Sequence, residues 1–275
     1  KMKKKKPYRV AVKDMKGDKS ARLHELSKEG RIMASLSHPN ICEFVGICAS
    51  SDRTGRQYIL SELMDCSLFD LIHQPCQVMW SGDLTVLVTL QLFAKICGGI
   101  NYLHGKNLVH ADLKSSNVLV DHTTSKELIP KICDFGHVAV RTHPAPHRQC
   151  GTPHWAAPEA LRNEAVAPAA DIFSCGVMLW EALARRVPHC DLTFAQVLGA
   201  VGWAGWVPDE TLLPEIPPEL TELMRQCQSF KAERRPSARE VRARLRRMVR
   251  RARGSALGMM VGFMDAALLG CFGGN

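Results

Sequence analysis

The order of apolar and polar positions divides the chain into a strand-rich first part and a helix-rich second part. Apolar runs rich in β-branched residues predict strands over residues 8–13, 41–48 and 57–63. Between the first two strands, apolar residues recur every three to four positions, which predicts a helix over about residues 20–36. The first part is therefore predicted to be a small, mainly β unit with one helix.

The second part is predicted to be mainly helical. Phe93, Ile96, Ile100 and Leu103 follow helical spacing and predict a long amphipathic helix up to about His104. Short apolar runs follow at 107–109, 117–120 and 130–133, and helical patterns resume at about 157–163, 169–184, 194–203, 218–228 and 237–252. We therefore expect an α+β fold with a small strand-rich lobe over 1–64, a larger helical lobe over 65–252 and an apolar extension over 253–275.

The composition is that of a globular chain from a reducing compartment. Apolar residues make up 46% and charged residues 23% of the 275 residues, which excludes an intrinsically disordered chain. The 11 cysteines include no Cys-x-x-Cys pair, and most of them lie in apolar runs, as Cys97, Cys133 and Cys175 do. We expect reduced, packed thiols rather than zinc ligands, and a cytoplasmic location.

Neither a signal peptide nor a membrane span is expected. The basic start KMKKKKPYR is not followed by an apolar core. Residues 256–272 are rich in apolar side chains, but Asp265 interrupts them and the run is shorter than the ~20 apolar residues that a span needs. This end of the chain is predicted to be packed or frayed.

The net charge of +9 is concentrated near the C-terminus. Residues 231–253 hold 11 Lys or Arg against Glu233 and Glu240, so the rest of the chain is balanced. One interpretation is a last helix with a solvated basic face, and the other is a contact with an anionic surface or RNA. No aromatic residue interleaves with the arginines, which disfavours stacking on bases, and we expect no nucleic-acid partner.

The strongest chemical motif is the segment HADLKSSN at residues 110–117. Here a loop between short apolar runs brings together Asp112, Lys114 and Asn117. A carboxylate accepts a proton, an ammonium neutralises phosphate charge, and an amide oxygen binds a metal ion. Taken alone, the same segment is also consistent with an ordinary charged surface loop.

Weaker motifs occur in a defined order around this segment. Lys13 ends the apolar strand VAVK, and Glu29 lies on the next predicted helix. Downstream come Asp-Phe-Gly at 134–136, Ala-Pro-Glu at 157–159, and Asp171. Three of them have a plain structural alternative: a solvated strand end for Lys13, a solvated helix face for Glu29, and an Asp turn with glycine for Asp-Phe-Gly.

Together these motifs resemble the signature set of protein kinase catalytic domains, from Tyr8 to about Val249. The sequence DLKSSN at 112–117 is similar to the corresponding motif of serine/threonine kinases. GTPHWAAPE at 151–159 and DIFSCGVMLWEAL at 171–183 resemble the tyrosine-kinase-like group of these enzymes. The resemblance implies a bilobal kinase fold, with ATP and Mg²⁺ bound between the lobes and a protein as substrate.

For the nucleotide, the resemblance implies that Lys13 holds the phosphates and pairs with Glu29. Ser61 is similar to a small gatekeeper residue. The hinge that binds adenine through its backbone corresponds to Glu62, Leu63 and Met64, and the residues that enclose the ring correspond to Ala11 and Leu119.

For the chemistry, the resemblance implies that Asp112 is the catalytic base and that Lys114 steadies the transferred phosphoryl group. Asn117 and Asp134 correspond to the Mg²⁺ ligands. Two structural sets are implied as well. They are an apolar stack of Met33, Phe44, His110 and Phe135, and a buried ion pair between Glu159 and Arg235.

Two departures from the family pattern bear on function. The family usually has an arginine at the position of Ala111, and that arginine binds the phosphate of a phosphorylated activation loop. Residues 137–156, which correspond to this loop, offer only Thr142 and Thr152 as hydroxyl groups that could be phosphorylated. We therefore expect activity that does not require phosphorylation of this loop. No Gly-x-Gly-x-x-Gly motif precedes Lys13, so we expect the sequence to be truncated at its start and to bind ATP weakly as it stands.

The predicted function is transfer of the γ-phosphate of ATP to serine or threonine hydroxyls of proteins. The alternative is a pseudokinase that keeps the fold as a binding module. The retained Lys13, Asp112, Asn117 and Asp134 favour the enzyme, whereas Ala111 and the missing glycine motif favour the alternative.

Overall fold

A computed structural model of the chain describes residues 9–14, 28–49, 57–75, 78, 82–122, 127–140 and 152–269, with side chains up to residue 254. Predictions that concern other residues, such as the first part of the helix over 20–36 and the position of Thr142, lie outside the described residues. The α+β fold with two lobes is confirmed: a small antiparallel sheet with one helix precedes a larger, mostly helical lobe.

The small lobe contains a three-stranded sheet in the order β1-β3-β2. Its strands are β1 (Val10–Asp14), β2 (Phe44–Ala49) and β3 (Gln57–Glu62), and the described part of helix α1 covers 28–34. The central strand pairs with both neighbours, with Ile59 opposite Lys13 on one side and Ile47 on the other. The three strands predicted from the sequence are confirmed with shifts of up to three residues.

The large lobe is built around two long helices, α3 and α5, which contribute more buried apolar residues than any other element of the lobe. The helices of this lobe are α2 (Leu68–His73), α3 (Val86–Gly105), α4 (Pro158–Leu161), α5 (Pro168–Ala184), α6 (Phe194–Val197), α7 (Pro218–Cys227) and α8 (Ala238–Leu269). Among the described residues, α3 alone is long and apolar enough to match a membrane span, and 61% of that stretch is buried inside the protein. Because most of this apolar stretch is buried inside the protein, α3 is a core helix of the large lobe.

Short strands frame the segments that carry the chemical motifs. The strands are β4 (Cys66–Ser67), β5 (Leu108–Val109), β6 (Val118–Asp121), β7 (Ile129–Ile132) and β8 (Ala139–Val140). They form one sheet in the order β4-β6-β7 and a two-stranded pair of β5 with β8. The segment 110–117 therefore leaves β5 and enters β6, and the segment 134–136 follows β7.

Three features differ from the sequence prediction. Helix α2 was not predicted, because six residues are too few for a clear period. Its N-cap is Ser67, which forms a capping box with Asp70. The helix predicted over 194–203 changes from α6 into a wider π-helix over Leu198–Trp203. The predicted boundary at 252/253 falls inside α8, which continues to Leu269.

Two neighbouring glycines of α3 give a matched test of packing near the site. An added methyl group at Gly99 would lie 2.7 Å from the Asn40 carbonyl oxygen and 3.0 Å from Ile132 Cδ1, whereas the nearest atom at Gly98 would be 3.4 Å away. We expect Gly99→Ala to lower the free energy of unfolding by about 1–3 kcal/mol. Gly98→Ala should be neutral or stabilising by up to ~1 kcal/mol, since alanine favours the helix. Urea unfolding of both variants checks this, and equal effects would contradict it.

A buried histidine predicts how stability depends on pH. Burial lowers the pKa of His189 from 6.5 to about 4, and the positive charge of His154 acts in the same direction. The unfolded chain then binds more protons than the folded one below pH 6.5, so the free energy of unfolding should fall as the pH drops from 6.5 towards 4. His189→Asn keeps a residue that tolerates the φ of 52° and does not titrate, and it should flatten this slope. Urea unfolding across this pH range tests it, and parallel slopes for the two proteins would refute it.

Candidate active site

Lys13 is the centre of a charge cluster between the lobes. It lies on β1, and its Nζ donates to Glu29 Oε1 and to Asp134 Oδ1, each at 2.8 Å. Glu29 comes from α1 and is only 2% exposed, and Asp134 comes from the large lobe, 121 positions along the chain. The structure thus brings together three of the residues that the sequence singled out.

The electrostatics of this cluster favour the charged forms. Burial by itself would lower the pKa of Lys13, but attraction by Asp134 and then by Glu29 outweighs it and raises the pKa above its ordinary value. Burial by itself would raise the pKa of Asp134, but the charge and hydrogen bond of Lys13 hold it below its ordinary value. The ammonium and the carboxylate are therefore both ionised near neutral pH, as a site for phosphate and a cation requires.

A second polar group forms around Asp112, which is 8% exposed. Lys114 Nζ lies 3.1 Å from Asp112 Oδ2, and Asn117 Nδ2 donates to Oδ2 at 3.0 Å and to the carbonyl oxygen at 2.9 Å. The carboxylate, ammonium and amide predicted from spacing alone are thus in direct contact. Because Asn117 uses its Nδ2 as a donor, its Oδ1 is the atom left to bind a cation.

Thr152 adds a contact that sequence reasoning missed. Its backbone N–H donates to Asp112 Oδ1 at 3.3 Å, and its hydroxyl accepts a hydrogen bond of 2.7 Å from Lys114 Nζ. The sequence analysis treated Thr152 only as a possible phosphorylation site. Its contacts instead tie the start of the segment 152–157 to Asp112 and Lys114, and only the fold reveals them.

The backbone before Asp112 is held by a buried carboxylate from α5. Asp171, which is 1% exposed, accepts hydrogen bonds of 2.9 Å from the backbone N–H groups of His110 and Ala111 and lies 2.8 Å from His104 Nε2. Ala111 has a φ of 65°, a strained value for a residue with a side chain, so these bonds fix a conformation that it rarely adopts. Burial opposes ionisation of Asp171, but His104 and the other donors hold its pKa below the ordinary value.

The segment 134–136 is anchored by an aromatic ring. Phe135 is 1% exposed, and its ring centroid lies 5.5 Å from that of His110 in an edge-on arrangement. Met33 is buried in the same apolar core, and Phe44 packs against that core from the small lobe. With Phe135 fixed in this way, Asp134 adopts a φ of 61° and turns its carboxylate towards Lys13.

The residues predicted to hold adenine lie where the two lobes join. Ala11 on β1 is paired directly with Ser61 on β3, and Leu119 lies on β6 of the large lobe. Glu62 ends β3, and its side chain forms an ion pair of 2.6 Å with Lys131. Met64 follows in the short connection from β3 to β4.

The ion pair predicted between Glu159 and Arg235 is present in the large lobe. Arg235 donates to the two carboxylate oxygens of Glu159 at 2.6 and 2.9 Å, and its side chain is fully buried. It also bonds to the carbonyl oxygens of Ala169 and Ser229 and lies over the ring of Phe173 at 5.0 Å. This network connects α4 with the segment before α8.

Comparison with known proteins agrees with this geometry. Residues 1–244 match the family model described as the protein kinase domain. This chain belongs to the protein kinase family. It is 36% identical to a probable serine/threonine-protein kinase, SIS8, of Arabidopsis thaliana over 85% of this chain and 22% of the relative. It is 35% identical to a second probable serine/threonine-protein kinase, drkC of Dictyostelium discoideum, over 87% of this chain and 31% of the relative. It is 34% identical to the serine/threonine-protein kinase CTR1 of Arabidopsis thaliana, over 84% of this chain and 27% of the relative. The chain therefore spans less than a third of the length of these relatives.

One further side chain of this kinase faces the central carboxylate. His137 Nδ1 lies 3.8 Å from Asp112 Oδ2 and, among the described residues, is buried without a hydrogen-bond partner. His137 follows Asp-Phe-Gly directly in sequence, but its distance from Asp112 depends on the turn at Asp134 and could not be read from the motif.

Proposed function

We propose that this kinase domain transfers the γ-phosphate of ATP to serine or threonine hydroxyls of protein substrates. The observation that carries the proposal is that two polar clusters lie side by side: Lys13 with Glu29 and Asp134, and Asp112 with Lys114 and Asn117. The backbone joins them, because the N–H of Cys133, next to Asp134, donates to the carbonyl oxygen of Asn117 at 3.0 Å. Relatives such as SIS8 and CTR1 are named as serine/threonine-protein kinases, which supports serine/threonine rather than tyrosine specificity.

On the nucleotide side, Lys13 places its ammonium where it neutralises the phosphates, and Glu29 and Asp134 fix the direction of that ammonium. Asp134 and Asn117 supply a carboxylate and an amide oxygen, the ligand types that Mg²⁺ prefers, so the residues present fit this ion. Bound Mg²⁺ would offset negative charge on the phosphates. The backbone of Glu62 to Met64, with Ala11, Ser61 and Leu119 around it, is the proposed adenine site.

On the acceptor side, Asp112 is the proposed base. As the hydroxyl oxygen bonds to the γ-phosphorus and the bond to the bridging oxygen breaks, the hydroxyl proton passes to the Asp112 carboxylate and ADP leaves. Lys114 lies beside that carboxylate and is held by Thr152, so its charge is placed to stabilise the phosphoryl group in transfer. Because little covalent help is needed, positioning and charge neutralisation supply most of the rate.

A scaffolding function without catalysis is the weaker candidate. It rests on Ala111 and the missing glycine motif, but Ala111 still donates its N–H to Asp171 and the loop keeps a defined shape. The retained contacts of Lys13, Asp112, Asn117 and Asp134 support an active site. We propose an intracellular, cytoplasmic setting, which the free thiols of the described cysteines support.

The proposal is tested by phosphate transfer from labelled ATP to peptide mixtures that contain serine, threonine or tyrosine as the only acceptor. The assay uses the full-length protein that contains this chain. We expect Mg²⁺-dependent labelling of the serine and threonine peptides, abolished by EDTA and strongly reduced in Asp134→Asn. Labelling of tyrosine peptides alone would refute the specificity. Absence of labelling under all conditions, with ATP binding retained, would favour the scaffold.

Thr142 and Thr152 test the expected independence from phosphorylation. Thr142→Val should leave kcat unchanged, because Ala111 replaces the arginine that would bind a phosphate group on Thr142. Thr152→Val should lower kcat by roughly tenfold or more, since it removes the hydroxyl that holds Lys114 at 2.7 Å. Steady-state kinetics of both variants, with and without phosphatase treatment, checks this. A large loss in Thr142→Val or after phosphatase treatment would contradict it.

A further inference from the structure

Helix α8 carries a stripe of arginines on the side that faces away from the large lobe. Its inward face buries Val241, Leu245 and Met248 against the core. The outward residues are all exposed, and we call them the arginine stripe: Arg239, Arg246, Arg247, Arg250 and Arg253.

The spacing of the arginine stripe makes it one continuous surface. Arg246, Arg250 and Arg253 follow Arg239 by seven, 11 and 14 positions, which at about 100° per residue places all four within an arc of roughly 60°. At about 1.5 Å per residue the stripe is about 21 Å long. Arg247, one position after Arg246, widens the stripe on one side, about 60° beyond Arg250.

The charge of this surface is largely uncompensated. Within the described part of the chain, Arg239, Arg246, Arg247 and Arg250 have no carboxylate within ion-pair distance, and Arg253 is 3.7 Å from the exposed Glu127. The one acid at the start of α8, Glu240, is engaged as a cap: it accepts 2.7 Å hydrogen bonds from the backbone N–H and the hydroxyl of Ser237. A stripe of this kind attracts a partner with many negative charges.

The same helix continues into a sequence of a different character. From residue 254 to Leu269, α8 contains no Lys or Arg and a single acid, Asp265. A helical segment with so few polar residues is favoured in an apolar environment rather than in water. At about 1.5 Å per residue this part is about 24 Å long, short of the roughly 30 Å hydrocarbon core of a bilayer, so it does not make a span.

We propose that α8 binds the surface of an anionic membrane. The arginine stripe contacts lipid phosphates and carboxylates, and residues 254–269 lie at the boundary between headgroups and acyl chains. RNA also offers negative charge, but residues 237–253 contain no aromatic side chain for base stacking, and an apolar continuation contributes nothing to RNA binding. The binding is independent of catalysis and would concentrate the kinase domain at a membrane.

The test measures co-sedimentation of the chain with vesicles of phosphatidylcholine, alone or with about 30% phosphatidylserine. We expect binding only to the anionic vesicles, weakened by high salt. The variant Arg246→Gln/Arg247→Gln/Arg250→Gln should bind about 100-fold more weakly, at about fivefold for each arginine. A control with the same change in charge, Lys28→Gln/Lys106→Gln/Arg186→Gln, alters exposed cations outside α8 and should keep its binding.

Several results would overturn the proposal. They are equal binding to neutral and anionic vesicles, equal losses in the two triple variants, or binding to single-stranded RNA without binding to anionic vesicles. All substituted arginines point to solvent, so thermal unfolding should be unchanged and a failure to fold does not obscure the comparison. Phosphate transfer should be the same in both triple variants, which separates this proposal from the proposed function.

Discussion

Replacing Asp112 with asparagine is expected to lower kcat for phosphate transfer by about 10²–10⁴-fold. Asparagine keeps the size of the side chain and one oxygen that can accept the Thr152 N–H, now 3.3 Å from Asp112 Oδ1. It cannot take up the hydroxyl proton, and it removes the charge that holds Lys114 Nζ at 3.1 Å. KM for ATP should change far less, since the phosphates are assigned to Lys13. Steady-state kinetics with saturating peptide measures this.

A matched control separates the role of Asp112 from a general effect of losing a carboxylate. Asp191 is an exposed carboxylate of the large lobe that belongs to neither polar cluster, and Asp191→Asn should leave kcat unchanged. Thermal unfolding of both variants shows whether the fold is intact. If Asp112→Asn keeps the kcat of the unchanged protein, Asp112 is not the base and the proposed mechanism is wrong.

Replacing Glu159 with glutamine is expected to destabilise the fold by about 3–5 kcal/mol. The change leaves the guanidinium of Arg235, whose side chain is fully buried, without its counter-charge at 2.6 Å. The carbonyl groups of Ala169 and Ser229 still accept hydrogen bonds from Arg235, but they do not neutralise it. Urea unfolding gives the change in the free energy of unfolding.

A second ion pair of the same length provides the comparison. Arg162 Nε lies 2.6 Å from Glu164 Oε1, but Glu164 is 51% exposed, so Glu164→Gln should cost only about 0–1 kcal/mol. The difference between the two variants then reports burial rather than distance. Similar losses in Glu159→Gln and Glu164→Gln would show that burial of Arg235 contributes nothing.

Much of the fold could be predicted from the sequence because periodicity is a local property. The apolar spacing that ends near His104 predicted α3, and the patterns at 169–184 and 218–228 predicted α5 and α7 almost to their ends. The prediction was less accurate where other forces act. Helix α2 is too short to show a period, and the π-helix over Leu198–Trp203 depends on packing rather than on spacing.

The sequence by itself determined which residue types were available for catalysis and their order: Lys13, Glu29, Asp112, Asn117 and Asp134. Their motifs were sufficient to indicate the family, because several weak patterns in a fixed order are specific together. The roles of these residues stay predictions, and the experiments above are designed to test them.

Only the tertiary structure decided which of these groups touch. Lys13 meets Asp134 across 121 positions, and Thr152 reaches Lys114 across 38, because the packing of β1, α5 and Phe135 sets these distances. Asp171 holds the strained backbone at Ala111 from inside α5. No local pattern encodes such contacts, since they depend on the burial of elements that are far apart in the chain.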